Sequence, residues 1–117
     1  PEKNPHTKKV EQFQESVKIF QQALNEHHKT PIVDMQKRQR FEDIMRKSMQ
    51  VMSETAKEAC RSQGAKCEEM EKAEQKLETD FQSFHNSVED KDIAKSDGVY
   101  QELQQDVNNL KGFFSKE

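Results

Sequence analysis

The chain has 117 residues, 35% charged and 31% apolar, with a net charge of -3 and a mean hydropathy of -1.18. That is the size of one domain, and Leu, Ile, Val and Phe make up only 22 of the 117 residues, as few as in disordered chains, but the small net charge argues against disorder. Three glycines and three prolines are too few for an all-β protein, which needs a turn every ~8–12 residues, and no apolar run of about 18 residues is present to span a membrane.

The first predicted helix covers 5–29. Asn4-Pro5 reads as an N-cap followed by proline at the first helical position. Val10, Phe13, Val17, Phe20 and Leu24 alternate steps of three and four, an a/d stripe that Ile19 widens. His27, His28 and Lys29 then suit the negative end of a helix dipole.

Thr30-Pro31 repeats the cap-then-proline signal, so the second helix is predicted over 31–63. Its stripe is Phe41, Met45, Met49, Met52, Ala56 and Cys60, with Ile44 and Ser48 beside it. A connection this short makes the two helices antiparallel neighbours.

Between them, Cys60 and Cys67 frame Gly64, the only glycine in a helical pattern running from about Val33 to about Val88. Glycine is the usual residue just past a helix end, and an unbroken helix would be about 84 Å long. Against a turn, positions 60, 63, 67 and 70 keep phase across the glycine, and one helical glycine costs only about 1 kcal/mol. The turn is favoured. In one straight helix Cys60 and Cys67 would lie about 10.5 Å apart, too far for a disulfide. Across a hairpin they would face each other and could bridge, although two reduced core thiols are the plainer expectation.

The third helix, predicted over 65–89, carries Cys67, Met70, Leu77, Phe81, Phe84 and Val88, with Ala73 at the intervening position and an acidic surface. Ser96-Asp97-Gly98 reads as the cap of a fourth helix over 97–114, with the stripe Tyr100, Leu103, Val107, Leu110 and Phe114. The expected fold is all-α: a single domain over 1–117 forming an antiparallel four-helix bundle. The alternative is a long central helix with two flanking helices in a dimeric coiled coil. Stripes of this quality occur in many unrelated bundles and name no family.

Chemistry leaves few marks. The four histidines, His6, His27, His28 and His85, fall in no nucleophile or metal motif, and no phosphate-binding glycine loop occurs. An enzyme is therefore not expected, and neither is a cofactor, a metal site or a small-molecule substrate. Met45, Met49 and Met52 share one helical face; such thioethers suit core packing first, an adaptable partner groove second and Cu(I) last. With Phe41, Phe81 and Phe84 they form the candidate partner-binding set. Phe13, Phe20 and Phe114 are further apolar anchors. Lys37, Arg40 and Lys47 make a modest positive strip that could meet an anionic surface, although Arg38 and Arg46 share its neighbourhood with Glu42 and Asp43.

The expected function is protein–protein interaction, as a helical adaptor, chaperone or assembly subunit that meets another protein, a homodimer included, through helix stripes. Nucleic acid is not an expected partner. A lipid-surface helical protein is one alternative. A secreted helical ligand or effector is the other, favoured if Cys60 and Cys67 are bridged; otherwise a cytoplasmic setting is slightly preferred.

Overall fold

A computed structural model of the chain describes residues 5–63 and 67–113, without the side chains of Ser62, Gln63 and Cys67. It contains four helices, α1 (Pro5–Lys29), α2 (Met35–Gln63), α3 (Cys67–Glu89) and α4 (Ile93–Gly112), and no strand among the described residues. The turn expected at Gly64 lies outside the described residues, but α2 and α3 are separate helices that pack on each other. The longest dimension of the chain is 49 Å, so the long-rod alternative does not hold.

The helices run antiparallel in sequence order around one core. Lys9 on α1 meets Glu58 on α2 at 3.0 Å at one end, and His27 meets Glu42 at 3.1 Å at the other. The guanidinium of Arg46 on α2 stacks over the Phe81 ring of α3 at 5.3 Å, and the Tyr100 hydroxyl of α4 donates to Asn25 Oδ1 of α1 at 2.8 Å.

The core follows a period of seven. Val10, Val17 and Leu24 form one line of α1, and Phe13 and Phe20 the other. Met45, Met52 and Ala59 do the same on α2, as Met70, Leu77 and Phe84 do on α3, and Leu103 and Leu110 on α4. A strict seven-residue repeat keeps one seam inward along a supercoiled helix. Each fully buried Phe or Leu side chain adds about 1.5–3 kcal/mol of burial free energy.

Close packing is not uniform. α1 lies tightly against α2 and α3 against α4, whereas the α1/α4 and α2/α3 faces are wider apart. Small residues explain the first contact: Ser16 on α1 shares a groove with Ser48 and Thr55 on α2, and Ala23 lies seven residues after Ser16, all buried. Their hydroxyls tolerate burial because each bonds its own helix, Ser16 to the Phe13 carbonyl at 2.7 Å, Ser48 to Met45 at 2.8 Å and Thr55 to Val51 at 2.7 Å.

Two helix starts differ from those read off the sequence. α2 begins at Met35 rather than Pro31. Thr30 instead ends α1, its hydroxyl bonding the Glu26 carbonyl at 2.8 Å, while Asp34 Oδ1 accepts from the Lys37 amide at 3.2 Å. Arg38 reaches back and donates to the Thr30 carbonyl at 3.0 Å, satisfying one of the carbonyls that a helix end leaves open. α4 begins at Ile93 because Asp92 is its N-cap, bonding the Lys95 amide at 3.1 Å, and Ser96, Asp97 and Gly98 lie within the helix. Before that cap, Lys91 takes a left-handed φ of 56°, and the Asp92 amide returns to the Ser87 carbonyl at 2.9 Å. This six-residue closure ends α3.

Candidate functional site

The residues first expected to meet a partner are mostly inside. Met45 and Met52 have no exposed surface, and Phe81 and Phe84 are also buried. Met49 and Phe41 are half-buried against the same core. These side chains are consumed in joining the four helices, because their seven-residue spacing places them on the inward seam rather than on an open face. Phe13 and Phe20 are likewise fully buried, and Phe114 lies outside the described residues.

Besides the exposed Val33, Met35 and Ile93, a contiguous patch of open apolar surface lies on the outer side of the α1/α2 hairpin. Ile19 at 39%, Ile44 at 40% and Val51 at 41% exposure border a groove of about 590 Å³ whose floor is Ser16, Ser48 and Thr55. The geometry has a simple cause: small side chains bring the two helices close, and the branched residues one turn away stand up as walls. The rim is charged with both signs, by Lys9, Glu15, Lys47, Glu54 and Glu58. A floor of small residues between apolar walls accepts the ridge of a helix.

Of the basic strip, Lys37, Arg40 and Lys47 are exposed. Arg38 and Arg46 have other work. Arg38 caps α1, and Arg46 pairs with Asp43 at 3.3 Å while stacking over Phe81.

Two polar clusters, each built on a buried carboxylate, were not anticipated. His27, read from the sequence as an end-of-helix cation, is fully buried, and its Nε2 lies 3.1 Å from Glu42 Oε2. The other carboxylate oxygen of Glu42 meets His85 Nδ1 at 2.5 Å. One buried carboxylate thus joins imidazoles from α1 and α3. Burial pushes the Glu42 carboxyl up, but the hydrogen bonds from His27 and then His85 outweigh it and hold it below its ordinary value. His28, by contrast, is half-exposed and stacks on the Tyr100 ring at 4.0 Å. A recess of about 170 Å³ opens over His85, lined by Met35, Gln39, Arg46 and Glu89.

The second cluster joins α3 to α4. The Lys76 ammonium donates to Asp80 at 2.7 Å, Asp106 at 3.0 Å and Glu102 at 3.1 Å, bonds that raise its pKa. The three carboxylates converge closely enough to hold a cation, and the ammonium of the chain itself sits among them. Asp106 is 2% exposed, and its Oδ2 has no hydrogen-bond partner. Burial, and then the neighbouring Asp80 carboxylate, push Asp106 up to about 6.

Glu74 is a third buried acid, facing Ser53 and Lys57 across the α2/α3 face. Burial raises its pKa, helped by Glu78 and Glu71. It takes the inward position between Met70 and Leu77 for which Ala73 was expected, and Ala73 is only half-buried.

Cys60 is buried and disulfide-bonded rather than a free thiol. The chain has two cysteines, and the side chain of Cys67 lies outside the described residues.

No described helix is long and apolar enough to cross a membrane. No protein-family model, curated protein or solved structure matches the chain.

Proposed function

We propose that the protein is a non-enzymatic interaction module that receives an amphipathic helix of another polypeptide on the outer face of its α1/α2 hairpin. The observation that carries this reading is the trio Ile19, Ile44 and Val51, left exposed around a small-residue floor while Met45, Met52, Phe81 and Phe84 are spent on the core. Helix-in-groove docking asks for this arrangement: apolar walls give affinity and a charged rim gives register.

Photo-cross-linking tests it. A benzophenone amino acid at Ile44 or Val51, compared with one at exposed Gln101 on α4, is expected to capture protein from the groove positions only. Equal capture from α4, or no protein adduct at all, sinks the reading. Co-sedimentation with anionic vesicles that depends on Ile44 and Val51 would favour the lipid-surface alternative instead.

A second reading, a secreted helical ligand or effector, is favoured by the half-cystine at Cys60, because stable disulfides persist mainly in oxidising compartments. Mass spectrometry of the unreduced natural protein checks it: the expected mass lacks the two thiol hydrogens, and two free thiols would remove its support.

A further inference from the structure

The groove wall contributed by α2 carries its own seam. Lys37, Arg40, Ile44, Lys47, Val51 and Glu54, completed by Glu58, step by three and four residues along the helix and are all exposed. Steps of this kind define a coiled-coil a/d line, here one lying outside the bundle and distinct from the buried line of Met45, Met52 and Ala59.

Its charge is ordered. The first two positions are cationic, the last two anionic, and the apolar pair Ile44 and Val51 lies between them. About a point between Lys47 and Ser48 the seam is its own complement when read backwards. Lys37 and Glu58 lie about 16 Å to either side of that point and Ile44 and Val51 about 5 Å. Arg40 and Glu54 match each other about Lys47 itself, half a residue away, which is under about 1 Å along the helix.

We propose that the groove's occupant is a second copy of this chain, its α2 antiparallel to the first across a two-fold axis beside Lys47 and Ser48. This rests on the interaction reading given above and names the partner for it. The pairing sets Lys37 against Glu58 of the second copy, Arg40 against Glu54, and Ile44 against Val51, each twice, as an isologous interface requires. Ile19 on α1, level with the axis, meets the same face. A parallel arrangement would put like charges together along the whole seam, a costly juxtaposition. An anionic lipid surface or nucleic acid would attract Lys37 and Arg40 but be repelled by Glu54 and Glu58. Glu58 already pairs with Lys9 within the chain, so the second copy's Lys37 joins an existing ion pair. Lys47 is the one unfavourable position, since it faces its own copy; its long stem carries the ammonium out to solvent.

Sedimentation velocity over a micromolar-to-millimolar dilution series, with circular dichroism to show that the helices persist, tests the proposal. The wild-type chain is expected to reach twice its 13.7 kDa and to dissociate more readily in high salt. The double variant Glu54→Lys/Glu58→Lys and the double variant Lys37→Glu/Arg40→Glu should each weaken self-association on the order of 100-fold. Mixing the two should restore a dimer, and so should all four reversals in one chain. Lys47→Ala should tighten it. A wild type that stays monomeric throughout, double variants that associate as well as wild type, or a four-fold variant that stays monomeric would each overturn the proposal. A monomer whose groove still cross-links to a different protein overturns the self-pairing and leaves the interaction reading standing; a groove that captures no protein overturns both.

Discussion

His27→Leu is expected to lower the unfolding free energy by about 3 kcal/mol, the cost of leaving a buried carboxylate oxygen without its hydrogen-bond partner. Leucine suits the position, which lies seven residues after Phe20 and fourteen after Phe13 on the inward line of α1. The loss therefore reports the polar contact rather than a packing defect. Glu42 would keep His85 on one oxygen, but the oxygen now held by His27 would face an apolar side chain. Adding Glu42→Leu should return most of the loss, because replacing a whole buried pair by apolar residues is often neutral or better. Urea unfolding followed by circular dichroism, with an unchanged m-value, checks both variants. A single variant within about 1 kcal/mol of wild type would show that the contact contributes little. The wild type has a matching acid limb: the folded carboxyl of Glu42 titrates below its ordinary value. Its contribution is therefore present above that ordinary value and lost as pH falls through the folded pKa.

Asp106→Asn is expected to raise stability at pH 7–8 by about 3 kcal/mol, taken from a shift of roughly two pKa units at 1.36 kcal/mol each. The direction follows from linkage. Asp106 is pushed up to about 6 when folded, from an ordinary value of 3.8, so between these values the folded chain holds a proton that the unfolded chain has released. Its contribution is full below the unfolded value and is lost as pH rises through about 6. At neutral pH the wild type thus carries a buried carboxylate beside Asp80, with Lys76 as its compensation. The amide of asparagine keeps an acceptor for Lys76 and offers Asp80 a donor. Thermal melts across pH 4 to 8 should show the variant's advantage growing with pH and vanishing near pH 4. An advantage of equal size at every pH would assign the effect to packing instead.

The helices were legible in the sequence because their apolar residues repeat every seven, a signal that survives a low overall hydrophobicity. The polar clusters were written in the same spacing but masked by residue type. His27 continues the line of Phe13 and Phe20, Glu42 lies seven residues before Met49, and Glu74 lies seven before Phe81. Each occupies an inward position and invites a surface reading only because it can carry charge. What pairs with what across helices was not legible, since Glu42 and His85 are 43 residues apart. Helix starts failed for a different reason. Thr30 and Asp34 are both good caps, as are Asp92 and Ser96, and the choice depends on which oxygen finds an amide once the corner has closed. The exposed groove failed through proximity to the core stripe. Ile19 and Ile44 sit one residue away from buried Phe20 and Met45, and a single residue on a helix is a rotation of about 100°.

The uneven spacing of the four helices gives the bundle the mechanics of two leaves. α1 with α2, and α3 with α4, are each held by close backbone approach, whereas the wider seam between the leaves is crossed by Glu42 with His85, Arg46 over Phe81, and Glu74 facing Ser53. Opening along that seam would let water solvate these polar groups and so recover part of the free energy lost from the exposed apolar surface. Opening within a leaf would first have to separate the closely packed backbones. The molecule thus parts more readily between its leaves than within either of them.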